Sequence, residues 1–231
     1  MKLLNFWKAL HPSQDPVITA TYRYDQESLD VSDGVEMTYG DTGKFFEIMS
    51  VSVDGNPISL ENATYAITSS DTSVLTISEG PADTNRYFAA TGVGSATVTI
   101  AATYEDHTVE VDTIAVTVSN PEISYTITGA NYEDTGHTAS IDSSSTSTPT
   151  MIAISDVTID GDSVSGTDVT WTIADASVAS FGGGQTTTAG AQAPLFATGT
   201  EGTTTITVTA VVNEVTFTLV TINLTSSEIS G

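Results

Sequence analysis

Residues able to carry chemistry are few in this chain, and their spacing limits what they can do. There are three histidines, His11, His107 and His137, and no cysteine. Disulfides, thiolate metal sites and a cysteine nucleophile are thereby excluded. The histidines lie far apart in sequence, and none stands in a metal-ligand spacing or beside a nucleophile. His107 falls within Tyr104-Glu-Asp-His-Thr108, where a solvated hairpin residue is expected in preference to a general base. Carboxylates are abundant, with 29 Asp and Glu, yet no pair is marked out for acid–base work. Asp160-Gly-Asp162 resembles the opening of a calcium loop but lacks the spaced oxygens and closing glutamate of that motif. A tight turn is expected there. Gly182-Gly-Gly184 has no basic neighbour with which to cradle a phosphate, and Asn62-Ala-Thr64 and Asn223-Leu-Thr225 match the short glycosylation acceptor pattern. The expectation is a chain with no catalytic residue, no cofactor and no metal, and hence not an enzyme.

The composition says what kind of scaffold carries so little chemistry. At 231 residues the chain is long enough for two domains of about 100 residues, each with its own core. Charged residues are only 15% of the total, and Thr and Ser fill most other polar positions, which favours strands over helices. Against the 29 acidic residues stand 5 Lys and Arg, a formal net charge of −24. Such a surface repels phosphate backbones, so nucleic acid is excluded as a direct partner. It suits a saline medium, marine or halophilic, where repulsion between carboxylates is screened. No stretch approaches the run of about 18 apolar residues that a membrane span needs.

Internal similarity sets the architecture. Phe45 to Ser59 reads FFEIMSVSVDGNPIS and Met151 to Ser165 reads MIAISDVTIDGDSVS, a repeat of about 106 residues with one Asp-Gly pair in each copy. Asp54-Gly55 and Asp160-Gly161 are expected to be hairpin turns. Tyr65 and Trp171 then hold equivalent positions as core aromatics. Strict alternation places Val98, Ile100 and Ala102 on one face of a strand, as it does Ile206, Val208 and Ala210. In the strands that close each repeat the alternation slips, between Val111 and Ile114 and between Leu219 and Ile222. A bulge or kink is expected at both places, since otherwise the apolar set would turn outward. With Val17 to Tyr24 and Ile123 to Ile127 as opening strands, each unit has about seven strands, the number in a Greek-key sandwich. Two polar loops are expected within the second unit, 142–149 and 181–188. Near Ser119-Asn120-Pro121 the units join, which sets expected boundaries of 1–15, 16–119 and 120–231.

Two segments carry a family resemblance: Tyr65-Ala-Ile-Thr-Ser-Ser-Asp-Thr-Ser-Val74 with Ala90-Thr-Gly-Val-Gly94, and Val169-Thr-Trp-Thr-Ile-Ala-Asp-Ala-Ser-Val178 with Ala197-Thr-Gly-Thr-Glu-Gly202. Both are similar to the group 2 bacterial immunoglobulin-like domain, departing from it by insertions at Glu79 to Tyr87 and Gly182 to Pro194. The resemblance implies two tandem all-β immunoglobulin-like sandwiches, used for adhesion or display on cell surfaces and phage particles, with no catalytic residues.

The segment before the first sandwich is expected to be an attachment arm. Its apolar run, broken by Asn5 and Lys8, is too short for a secretion signal, so the segment is expected to be retained. Leu3, Phe6, Trp7 and Leu10 recur at helical spacing and form a partner-binding stripe. The function expected from these features is a virion structural protein of capsid-decoration, turret or head-fibre type, located on the virion surface and held to a capsid protein by the arm. A homo-oligomer and a host-surface glycan or protein are further expected partners. The alternative is a cell-surface adhesin or surface-layer fragment of a bacterium or archaeon. The charge makes one direct prediction: the thermal unfolding midpoint should rise with added salt and level off within about a few tenths molar if screening alone acts. A midpoint indifferent to salt would show carboxylates too dispersed to repel one another.

Overall fold

The computed structural model describes residues 16–228. The chain divides into two compact units between Asn120 and Pro121. In the first are β1 (Ile18–Tyr24), β2 (Glu27–Leu29), β3 (Val35–Thr38), β4 (Lys44–Val53), β5 (Asn56–Ile58), β6 (Ala63–Ser69), β7 (Leu75–Glu79), β8 (Asn85–Ala90), β9 (Gly94–Tyr104) and β10 (His107–Ser119). The second holds β11 (Ile123–Gly129), β12 (Thr138–Asp142), β13 (Thr150–Ile159), β14 (Asp162–Ser163), β15 (Val169–Ile173), β16 (Ala179–Ser180), β17 (Thr187–Ala189), β18 (Gln192–Ala197), β19 (Gly202–Val212) and β20 (Val215–Ser227).

Strand order identifies the fold. In the first unit β1-β4-β8-β7 lie side by side in one sheet, and β10-β9-β6 in the other. That is the four-plus-three arrangement of an immunoglobulin-type Greek-key sandwich. The second unit repeats it as β11-β13-β18-β16 and β20-β19-β15. In each unit an extra strand runs parallel to the last one, β3 along β10 with Val35 opposite Val116, and β12 along β20 with Thr138 opposite Asn223. Both units are therefore all-β immunoglobulin-like sandwiches.

The sequence alternation shows directly as packing. Phe46, Ile48, Val51 and Val53 of β4 point inward, as do Ile152, Ile154, Val157 and Ile159 of β13. Between the second and third of each set the pattern skips a residue. The register breaks there against the first strand, between Thr21 and Tyr22 and between Ser124 and Thr126. In the closing hairpins the breaks fall at Val111, between Glu110 and Asp112, and at Leu219, which is skipped as Val208 pairs with Val220 and Thr209 with Thr218. The first unit ties its two bulges together, because the buried Tyr22 hydroxyl donates to Asp112 Oδ2 at 2.7 Å. At the matching positions the second unit has Ile127 and Val220, an apolar pair.

Around these registers the cores close. In the first unit the Phe46 ring stacks on Tyr22 at 5.6 Å and on Phe88 at 5.4 Å. Tyr65 is buried and its hydroxyl donates to the Leu60 carbonyl at 3.4 Å. Trp171, its counterpart, is 0% exposed, with Nε1 donating to the Gly190 carbonyl at 2.8 Å. Of the two polar segments in the second unit, 142–149 is a loop after Asp142, whereas 181–188 is only partly one. Phe181 is buried, and Thr187–Ala189 pairs with Thr170–Thr172 as an added strand, which suits β-branched threonine. Trp171→Ala should destabilise the second unit by about 3–5 kcal/mol, read from denaturant unfolding. Trp171→Phe should cost less, because it keeps ring volume and loses mainly one hydrogen bond. Equal losses would show that the bond to Gly190 outweighs packing.

Candidate functional site

Leu3, Phe6, Trp7, Leu10 and His11 lie outside the described residues. His107 opens β10 opposite Tyr104, at the end of the β9–β10 hairpin. Asn62 is exposed in a short 3-10 turn, and Asn223 is exposed within β20, paired on both sides.

The two Asp-Gly pairs are hairpin turns, with left-handed backbone at Asp54 and Gly55 (φ 51° and 76°) and at Asp160 and Gly161 (φ 51° and 83°). Each aspartate also grips the start of its sandwich. Asp54 Oδ1 accepts from the Val17 N–H at 3.0 Å, and Asp160 Oδ1 accepts from the Glu122 N–H at 2.8 Å. In both repeats the aspartate N–H is in turn bonded to the carbonyl of that same residue, at 2.8 Å. The pair at Asp160 is thus a structural clasp. Among the described residues no group of three or more His, Asp or Glu side chains is arranged to hold a metal ion.

A second recurring carboxylate role is the Asp-x-Ser turn. Asp71 Oδ1 accepts from the Ser73 N–H at 2.9 Å and hydroxyl at 2.6 Å, and Asp175 Oδ1 from the Ser177 N–H at 2.8 Å and hydroxyl at 2.7 Å. Asp30 with Ser32 and Asp142 with Ser144 repeat the geometry. In Asp30, Asp71 and Asp175 the serine hydroxyl, and then the serine N–H, hold the carboxyl below its ordinary value.

One group of side chains was not marked out by the sequence. In the segment between β11 and β12, Tyr132 shares its hydroxyl with His137 Nδ1 at 2.8 Å and Asp134 Oδ1 at 3.2 Å. The Tyr132 ring stacks on His137, and Tyr125 stands 6.4 Å from the same imidazole. Burial first, then the hydrogen bond to Asp134 and its charge, push the Tyr132 phenol up to about 12. The phenol therefore stays protonated at neutral pH. With Nδ1 protonated, the imidazole donates to the phenolic oxygen and the phenol to Asp134, a chain of hydrogen bonds that holds the turn. This segment leaves β11 at Gly129, whose φ is 90° and where a Cβ would lie 2.2 Å from the Met151 carbonyl oxygen. Tyr132, Asp134 and His137 span six residues and have no counterpart in the first repeat, so self-comparison does not reveal them.

Two surface concavities among the described residues are open grooves. A groove of about 490 Å³ in the second unit is lined by Ala174, Asp175, Thr203 to Thr205 and Asn223, and one of about 390 Å³ in the first includes Tyr22, Asp30 and Asp112. Neither brings together groups suited to bond making.

No protein-family model matches the chain, and no curated protein matches it. Among solved structures it is similar to domains 5–6 of the S-layer protein SbsC, at 19% identity and a TM-score of 0.30 over 94% of this chain and 100% of that one. It is similar to the adhesin InvE of Yersinia pseudotuberculosis at 14% identity and a TM-score of 0.31, over 86% of this chain and 60% of the other. Invasin, a bacterial integrin-binding protein, is similar at 17% identity and a TM-score of 0.37, over 92% of this chain and 39% of that chain. The fold assignment rests on strand order and register.

The Asp-x-Ser turns make a prediction with a definite sign. A carboxyl whose folded pKa lies below its unfolded value of 3.8 adds stability above that pH, which is lost as pH falls through the folded value. Asp175→Ala should therefore melt below the parent chain at neutral pH, and the gap should close as pH drops beneath 3.8. A gap that persists in strong acid would assign the turn's stability to something other than the ionised carboxylate.

Proposed function

We propose that this chain is a non-enzymatic segment of an extracellular surface protein of adhesin or surface-layer type, whose sandwiches display surface to a protein or glycan partner. The chemistry of the exterior carries this reading. Strand faces that a cytoplasmic protein commonly covers with Lys and Glu are here covered with hydroxyls paired across strands. Thr19 meets Ser52 at 2.7 Å, Thr21 meets Ser50 at 2.7 Å, Thr103 meets Thr108 at 2.8 Å and Ser124 meets Thr158 at 2.8 Å. Cross-strand hydroxyl pairs stabilise a sheet without depending on ionic strength or pH. Residues 87–231 contain no Lys or Arg, so proteases that cut after basic residues find no bond there. Both properties suit an unprotected, saline exterior. The similar solved structures include surface-layer and adhesin proteins, which agrees with this reading; its weight rests on the chain's own surface.

The role in capsid decoration depends on the segment before residue 16, and no observation among the described residues favours it. The two settings separate by fractionation. An antibody against the folded chain should label intact source cells, and the chain should travel with the cell envelope. Recovery with sedimenting particles, and none with the envelope, would overturn the cell-surface reading in favour of the virion.

A further inference from the structure

Among the described residues, the second unit leaves open an edge that the first unit closes over Tyr22–Tyr24. In the first, β2 pairs with the end of β1, placing Leu29, Ser28 and Glu27 opposite Tyr22, Arg23 and Tyr24. Leu29 and Val31 pack against the core behind it. In the second, β11 takes the place of β1, with Ile123 opposite Ile159 and Ile127 opposite Ile154, as Ile18 faces Val53 and Tyr22 faces Ile48. Among the described residues β11 is paired only with β13, and beyond Gly129 the chain enters a turn in which the Tyr132 N–H bonds the Gly129 carbonyl at 2.9 Å. Burial differs where β2 lies: Tyr22, opposite Leu29, is buried, whereas its counterpart Ile127 is half-buried, as are Ile123 and Tyr125. A seven-residue edge with a half-covered apolar row is a template for added chain.

Charge indicates what covers it. The five Lys and Arg stand at positions 2, 8, 23, 44 and 86, so residues 121–231 hold twelve carboxylates and no Lys or Arg. Arg23 is paired with Glu47, and Lys44 lies 3.3 Å from Asp25 and 4.0 Å from Asp41. Arg86 donates to the carbonyls of Asp83, Asn85 and Tyr65. The other two cations, Lys2 and Lys8, belong to residues 1–14, which contain no carboxylate and six large apolar side chains: Met1, Leu3, Leu4, Phe6, Trp7 and Leu10.

We propose that residues 1–14 of one copy cover the β11 edge in the second unit of another copy. Leu3, Phe6, Trp7 and Leu10, which share one face at helical spacing, lie over the edge and pack on Ile123, Tyr125 and Ile127, and Lys2 and Lys8 face a unit whose carboxylates have no Lys or Arg of their own. Aromatic anchors supply most of the binding energy in such contacts, and opposite charge supplies register and rate. The contact joins different surfaces of identical chains, so it propagates head to tail into open chains or closed rings. It holds whether the chain is displayed on a cell or a particle.

Sedimentation velocity of the full chain from low to high micromolar concentration tests this directly. The parent chain should gain mass with concentration and lose it again at high salt. An arm variant, Phe6→Ser with Trp7→Ser, and an edge variant, Tyr125→Ser with Ile127→Thr, should each remain monomeric. Mixed together, the two variants should form a 1:1 pair and go no further, because only one intact arm and one intact edge are present. A synthetic peptide of residues 1–14 titrated onto the arm variant reads the same contact without altering the second unit, and should bind with saturation. A parent chain that is monomeric throughout, assembly unchanged by both variants, or a peptide that does not bind would overturn the proposal.

Discussion

A strand of thirteen residues presents alternate side chains to opposite faces, and a sandwich survives only if the apolar set stays inward along its whole length. In β10 and β20 the inward set changes parity part-way, from Val109 and Val111 to Ile114, Val116 and Val118, and from Phe217 and Leu219 to Ile222 and Leu224. One extra residue at Val111 and at Leu219 absorbs the change. β4 and β13 in the facing sheets make a similar correction. Without these bulges, half of each long strand would turn its apolar residues to water, and neither core could close. Everything else in the two units hangs on this registration: the aromatic stack on Phe46, the seat of Trp171, and the parallel docking of β3 and β12.

Carboxylates carry structural duties here that a search for chemistry would miss. Asp54 and Asp160 clasp the first strand of their sandwich, and Asp71 and Asp175 hold turns through neighbouring serines. Asp112 accepts the buried Tyr22 hydroxyl across the sandwich, and burial, with that acid beside it, raises the phenol well above its ordinary value. A chain with 29 acidic residues and 5 basic ones thus puts several of its acid oxygens to accepting bonds from its own backbone and hydroxyls. The remaining strand exteriors rely on hydroxyl pairs, which need no counter-charge.

The repeats also differ where it matters for association. The first unit spends β2 on closing β1, and places its described cations against its own carboxylates and carbonyls. In the second, among the described residues, β11 pairs only with β13, and the unit has no Lys or Arg. In place of β2 stands the segment holding Tyr132, Asp134 and His137, whose hydrogen bonds shape a turn instead of an edge strand.

The sequence by itself determined the elements that obey a local period. Alternation marked the long strands, Asp-Gly the hairpins, and self-comparison the two units, the equivalent aromatics Tyr65 and Trp171 and the shared slips between Val111 and Ile114 and between Leu219 and Ile222. These were legible because side-chain period and turn chemistry are written within a few residues. The attachment stripe Leu3, Phe6, Trp7 and Leu10 was equally legible as a pattern, but its seat lies outside the described residues. Only the tertiary structure decided which strands become neighbours, that Thr187–Ala189 joins a sheet, and that Asp160 accepts from the Glu122 N–H. It alone brought Tyr125 to His137 and paired β2 with the end of β1, while β11, among the described residues, pairs only with β13. Those facts depend on contacts between residues distant in sequence, and no local period encodes them.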